Sequence, residues 1–526
     1  MNPNLLLKSL LLTAGLTVSY CSYAQKANWQ NLDLKSDTTF GISTEKAYLE
    51  LLKGKKSTPV LVAVIDGGID IEHEDLKKII WTNPKEVAGD GKDNDKNGYI
   101  DDLHGWDFIG GAKGDVHWDN IELTRLARKY RTQFTGKDTT KLSGKDLADF
   151  ETYQKLRTEL DKKVIPAKKN LQSLTNAKTG IASMLTKIGN QNPTVADIEK
   201  FTPENQAETI AKANALRLVP RFKDFKEFYQ AVIVDAFDHY NTQVQYHFNL
   251  DFDPRSIVGD NYADSKERKY GNADVAGPDA DHGSHCAGII GAVRDNNLGI
   301  KGVADNVMIM SVRTVPDGDE RDKDVANAIR YAAENGAKVV SMSFGKGYSW
   351  DKKAVDEAVK YAMSKDVLLV HAAGNDNLNL DVDKNFPLAK YEDGGQAANW
   401  IEVGASGSKD DNTLKASFSN YGKNTVDVFA PGVDINSTTP GSTYALHSGT
   451  SMAAPVVAGL ASLIRSYYPK LSAAQVKDII LKSVVKVNHT VTTKVNGQNT
   501  ELAFADLCKT GGIINAYNAL QLAASM

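Results

Sequence analysis

PVLVAVIDGG, residues 59–68, is an apolar, largely β-branched run that ends in a carboxylate and two glycines. With no polar residue between Val60 and Ile65 the run has no face for water. It predicts a strand covered on both sides, as in a parallel sheet layered between helices. Outward from it, the chain alternates strand and helix patterns from about residue 306. VMIMSVRTV (307–315), KVVSMSF (338–344) and VLLVHAAG (367–374) read as strands. DKDVANAIRYAAENG (322–336) reads as a helix stopped by Gly336. WDKKAVDEAVKYAMSKD (350–366) reads as an amphipathic one, with Val355, Ala358, Val359 and Ala362 on one face. This alternation predicts an α/β fold with a mostly parallel central sheet and right-handed crossovers. Ligands meet such sheets at the carboxyl ends of strands, where Asp66, Ser343 and Asn375 fall.

SGTSMAAP (448–455) leads into MAAPVVAGLASLI (452–464), apolar or small all round and therefore a buried helix. Pro455 is tolerated near a first turn, and Pro469 closes the segment. Ser451 thus stands at a helix N-terminus, among free backbone amides and the positive end of the dipole. Taken alone, it is an N-cap. Further on, Ser472 and Gln475 form a capping box for AAQVKDIILKS.

Three other segments change that reading: VIDGGID (64–70), DHGSHCAGIIGA (281–292) and HAAGND (371–376). A serine nucleophile needs a base for its proton, and the base needs a carboxylate to fix its tautomer. The tetrahedral intermediate needs donors, one of which can be a side-chain amide. Asp66, His282, Ser451 and Asn375 supply these roles, with the triad in the chain order Asp, His, Ser.

The four motifs together resemble those of the subtilisin (subtilase) family of serine proteases. VIDGGID resembles its Asp motif, HGSHCAG its His motif with His282 as base, and SGTSMAAP its Ser motif. HAAGN resembles the oxyanion motif, with Asn375 as donor and Gly374 beside the substrate. SMSFG (341–345) resembles the edge segment that pairs with substrate backbone, through Ser343, Phe344 and Gly345. FSNYG (418–422) and APGVDI (430–435) add to the likeness, which covers about 58–111 and 271–526. It implies a subtilisin-like three-layer fold and an endopeptidase acting on polypeptides through an acyl-enzyme, with no cofactor in the chemistry. Two positions depart from the pattern. Gly67 replaces a commoner Ser or Thr beside the Asp, and His371 replaces a small residue. The segment 25–57 is also shorter than the family's usual prodomain.

Residues 112–270 interrupt the α/β pattern with Lys-, Glu-, Gln- and Leu-rich helical spacing. Phe150, Tyr153, Leu156 and Leu160 form one run, and Leu171, Leu174, Ile181, Leu185 and Ile188 a second beyond Pro166. A helical hairpin is expected, either a surface decoration or a lid or wall that selects substrate. A scaffold protein whose insertion binds a partner is the alternative function. His282, His285 and Asp281 could also be read as metal ligands. In DGKDNDKNGYIDD (90–102), Asp93, Asp95, Asn97 and Asp101 imitate the first half of an EF-hand loop, but His104 holds the twelfth position. The loop is either a structural Ca2+ site or a solvated Asx-rich turn.

The chain has 526 residues, 41% hydrophobic and 24% charged, with a net charge of −4, which gives no reason to expect nucleic acid as a partner. Lys8, LLLTAGLTV (10–18) and Ser22-Tyr23-Ala24 read as a signal peptide of residues 1–24, and no later run suits a membrane span. Export is expected, to the periplasm or medium; a lipid anchor at Cys21 on the outer membrane is the rival. Cys286 and Cys508 could pair or stay free.

Overall fold

The computed structural model describes residues 26–495 and 497–526, so the signal-peptide and Cys21 readings lie outside the described residues. Nine strands form the central sheet: β1 (Val60–Asp66), β2 (Gly105–Asp107), β3 (Val307–Arg313), β4 (Val339–Met342), β5 (Leu368–Ala372), β6 (Trp400–Ser406), β7 (Val428–Pro431), β8 (Val485–Lys486) and β9 (Gly512–Ile513). Their order is β8-β9-β7-β6-β5-β4-β1-β3-β2. Every neighbouring pair is parallel except β8 with β9. The expected α/β class holds.

The unbroken apolar run of β1 reflects cover on both faces. Val60, Val62 and Val64 enter one cluster with Ile289 and Leu460; Leu61, Ala63 and Ile65 enter the other with Ile329 and Val359. Full burial of each larger aliphatic contributes about 1.5–3 kcal/mol. The first face is covered by helices α1 (Asp281–Gly291), α4 (Thr450–Tyr467) and α5 (Ala473–Lys482), the second by α2 (Asp322–Glu334) and α3 (Lys352–Ser364). Helix α4 is enclosed along nearly its whole length, which accounts for its lack of a polar face. The capping box at Ser472 and Gln475 forms with both of its bonds.

His371 is fully buried on β5, with Nδ1 partnered and Nε2 without a hydrogen-bond partner. Nδ1 meets both Glu402 oxygens at 3.0 and 3.1 Å, and the Trp400 indole donates to the same carboxylate at 2.9 Å.

The chain divides into two compact units. One comprises Gln25–Glu122 and Pro254–Met526 and contains the sheet; Leu123–Asp253 belongs to the other. Residues 254–270, which the sequence reading placed in the insertion, fold with the sheet: Arg255 pairs with Asp324, and Tyr270 joins the core beside β1. At the mouth of the inserted stretch, Asp107 and Asn272 exchange backbone hydrogen bonds of 2.9 and 3.1 Å. The inserted unit is helical, as expected, but there is no break at Pro166. One 45-residue helix, Gly144–Ile188, runs through it. Pro166 removes one N–H from an exposed stretch of the helix, where water can serve the freed carbonyl. Ile181, Met184 and Leu185 from that helix pack with Ala211, Ala215, Phe225 and Phe228 in a core of the unit's own.

Candidate active site

Asp66 ends β1, buried to 3% exposure, and its Oδ1 accepts from the Gly67 amide at 2.7 Å. His282, the second residue of α1, brings Nδ1 to the same oxygen at 2.7 Å. That approach depends on Gly283, where a Cβ would lie 2.1 Å from the Gly68 oxygen and 3.2 Å from Asp66 Cβ. With Nδ1 bound to the carboxylate, the neutral ring keeps its proton there and leaves Nε2 as an acceptor. Burial opposes the imidazolium, but the Asp66 charge and hydrogen bond, with Asp281 and Asp279 behind them, raise the His282 pKa above its ordinary value. Asp66 Oδ2 is buried without a hydrogen-bond partner. Gly67 has no hydroxyl to offer it, so the carboxylate is held through Oδ1.

Ser451 lies in the first turn of α4. The N-cap position belongs to Gly449, so Ser451 is not the cap. Its Oγ donates to the Ser343 carbonyl at 3.2 Å rather than to His282. Catalytic hydrogen bonds commonly tighten only when substrate fills a site. Pro455 follows four residues later, where the helix ladder would return an N–H to the Ser451 carbonyl. Proline has none, and the freed oxygen accepts instead from Ser343 Oγ at 2.9 Å and from Cys286 Sγ at 3.4 Å. The proline therefore couples the start of α4 to β4 and α1.

Asn375 is oriented by Thr450. Its Oδ1 accepts from the Thr450 amide at 2.9 Å and from Oγ1 at 3.0 Å, and that hydroxyl accepts from the Gly374 amide at 3.0 Å. With Oδ1 engaged, Nδ2 is left on the side of Gly449, 3.4 Å from where a Cβ there would sit. Ser343, Phe344 and Gly345 follow β4 and line a cleft of about 340 Å³ that also takes in Asp66, His282, Val315 and Glu320. The sequence-chosen Asp66, His282, Ser451, Asn375, Ser343 and Gly374 thus converge. Thr450 and Cys286 were missed as participants, although both lie within the quoted motifs.

His285 is fully buried; Nε2 shares the carbonyls of Ile435 and Ala445 at 3.0 Å each. Burial, followed by the nearby His447, pushes its pKa down to about 3, so it is a neutral packing residue. Cys286 and Cys508 are free thiols in separate clusters. Burial raises both above their ordinary pKa, which leaves them weak nucleophiles.

The acidic loop arranges its groups differently from the expected spacing. Asp93 accepts from the Asn97 and Gly98 amides, and Asn97 Oδ1 from the Tyr99 amide. Asp101 Oδ2 accepts from the Gly91 amide. Of the three carboxylates chosen, Asp95 joins a convergent set in which oxygens of Glu86, Asp95 and Asp102 lie within 4.8 Å of one another, and Asn97 Nδ2 donates to Asp102 at 2.9 Å. Asp102 is fully buried, and burial pushes its pKa up to about 6 despite hydrogen bonds from Tyr331, Asn97 and Asn83.

Comparison with known proteins matches residues 57–504 to the family model described as "Subtilase family". Thermitase of Thermoactinomyces vulgaris is 40% identical over 241 residues, which is 46% of this chain and 75% of thermitase. A thermophilic serine proteinase of Bacillus sp. (strain AK1) is 40% identical over 240 residues, 45% of this chain and 52% of that relative. Subtilisin BL of Lederbergia lenta is 36% identical over 210 residues, 40% of this chain and 72% of that protein.

Proposed function

We propose that this chain, which belongs to the subtilase family and is a serine-type endopeptidase, cuts peptide bonds with Asp66, His282 and Ser451 as its triad. The observation that carries the assignment is the 2.7 Å contact of His282 Nδ1 with Asp66, on a ring whose Nε2 is left to accept a proton. A substrate strand lies along Ser343–Gly345, with its scissile carbonyl over Ser451. His282 Nε2 takes the Oγ proton as Oγ bonds to the carbonyl carbon, and Asp66 stabilises the imidazolium. The oxyanion is held by Asn375 Nδ2 and the Ser451 amide. His282 returns its proton to the leaving amine. Water, deprotonated by His282, then releases the acyl group and restores Ser451.

Export through residues 1–24 belongs to the same reading; no helix among the described residues is long and apolar enough to cross a membrane. Glu86, Asp95 and Asp102 would hold a structural Ca2+, a hard cation that takes oxygen ligands. Glu86 Oε2, a buried oxygen without a hydrogen-bond partner, supports that fit. The inserted unit is read as a substrate-selecting element. Deleting 123–253 should change kcat/KM on whole proteins, and an unchanged value from a folded variant would remove that role.

Labelling by a fluorophosphonate probe tests the triad. Wild type should be labelled and Ser451→Ala should not. A folded wild type that stays unlabelled would overturn the assignment.

A further inference from the structure

Arg321 at the N-cap of α2 and Asp322, Lys323 and Asp324 in its first turn form an unbroken run of buried charge, none more than 3% exposed. Charges are kept out of water only where partners meet them. Here the partners come from both flanks of the inserted unit. Ahead of it, Asp119 accepts from Arg321 at 2.7 and 3.0 Å. Behind it, Asp260 and Glu267 accept from Lys323 at 2.6 and 2.8 Å, and Arg255 donates to Asp324 at 2.6 and 2.8 Å. Asp322 instead holds Lys346 Nζ at 2.7 Å. The same ammonium meets Glu122 Oε2 at 3.0 Å and donates to the Glu320 carbonyl at 2.6 Å. Glu122 is the first residue of the helix Glu122–Phe134, which carries the chain into the insertion. Both Glu122 and Lys346 are buried. Lys346 directly follows Gly345, and its backbone exchanges bonds of 3.1 and 2.8 Å with Phe386.

We infer that Lys346 is a positioning residue for the segment Ser343–Gly345, and that it holds the far end of this segment to the flank from which the insertion departs. The inference rests on the reading of Ser451 as nucleophile and of Ser343–Gly345 as the strand that pairs with substrate. β4 ends at Met342, and a strand that must leave an edge open for a peptide has no ladder on that side to fix its course. Its ends must be fixed instead. At the near end Ser343 is bonded to Ser451. At the far end the Lys346 ammonium sits between two carboxylates and a carbonyl, the enclosed place where its charge is met. A substrate residue next to the scissile bond meets the near end, and each residue further along the acyl side lies closer to Gly345 and Lys346. Displacing Lys346 therefore weakens long substrates and spares short ones. Because Glu122 shares the ammonium with Asp322, the helix that enters the insertion bears on the same end of the segment.

The test compares kcat/KM for an activated ester of one acylated amino acid with that for peptide amides carrying one to four residues ahead of the scissile bond. It uses wild type, Lys346→Met, Lys346→Arg and Glu122→Gln. Wild type should gain at least about tenfold from the one-residue to the four-residue amide, because binding along a remote segment is spent at the reacting centre. Lys346→Met should lose most of that gain, while ester hydrolysis and the rate of fluorophosphonate labelling stay within about threefold of wild type. Lys346→Arg keeps the charge and should retain more of the gain. Glu122→Gln leaves the pair with Asp322 in place and should cut the gain by about threefold. It decides the matter where Lys346→Met does not fold. A loss shared equally by the ester and every amide would make Lys346 a merely structural residue and overturn the inference. A gain left intact in Glu122→Gln and in Lys346→Met overturns it too. A labelled wild type that gains nothing from length defeats this inference alone. A folded wild type that neither cleaves nor is labelled defeats the triad assignment and this inference with it.

Discussion

Pro455 stands one helical turn beyond Ser451 and hands the Ser451 carbonyl to the Ser343 hydroxyl, 2.9 Å away. Helix and sheet are tied at Ser451 by a bond that an ordinary helix would not leave open. Ser343→Ala should destabilise the fold by about 1–3 kcal/mol, the cost of a buried acceptor losing a partner, with Cys286 keeping the loss toward the lower end. Adding Pro455→Ala returns an N–H to the ladder and should recover part of that loss. Denaturant unfolding of the two single variants and the double variant measures the coupling. Strict additivity would show that the proline does not create the acceptor.

Asn375→Leu keeps the side chain's size and removes its donor. Losing one such donor costs about 10²–10³ in kcat, a magnitude established on subtilisin rather than worked out from this chain. Steady-state kinetics should show that fall with KM little changed. A fall confined to KM would place Asn375 in ground-state binding instead.

The base must be neutral to accept a proton. The charge of Asp66 overcomes burial and raises the His282 pKa, so the acid limb of kcat/KM should lie above pH 6.5, the ordinary histidine value. Asp66→Asn removes the charge that favours the imidazolium while burial stays. Its acid limb should therefore move to lower pH as kcat drops. A limb that stays in place would mean that another group governs the profile.

Asp102 titrates near 6 in the fold, above an ordinary aspartate, because burial disfavours its charge. The folded state then holds a proton that the unfolded chain has released, so stability without metal should fall as pH rises from about 4 to 6. Asp102→Asn should blunt that fall. Ca2+, by favouring the ionised form, should reverse the slope in wild type. Thermal melts in chelator and in millimolar Ca2+ across this range give the comparison. A wild-type melt indifferent to both chelator and Ca2+ would remove the cation from this loop.

The sheet was legible because its strands are covered on both faces and so write long apolar runs. The candidate groups Asp66, His282, Asn375 and Ser451 could be picked out because each sits at a strand or helix end within a short motif. What stayed hidden depends on groups meeting from distant positions. Glu86 and Asp102 bracket the acidic loop, but only the folded chain brings an oxygen of Asp95 together with those two. Pro166 was read as a break, yet an exposed proline costs a long helix one hydrogen bond that water can replace. The outer limits of the insertion were drawn too wide, since Arg255 and Tyr270 look like surface residues until Asp324 is seen to receive both.

The paired backbones of Asp107 and Asn272 act as a clasp. They bring the two ends of the intervening stretch together inside the sheet unit, whatever lies between them. Because the entropy of closing a loop grows only with the logarithm of its length, lengthening or shortening the intervening chain alters the cost of forming the clasp very little. Intervening stretches of different length can thus be closed at that point at similar entropic cost to the clasp.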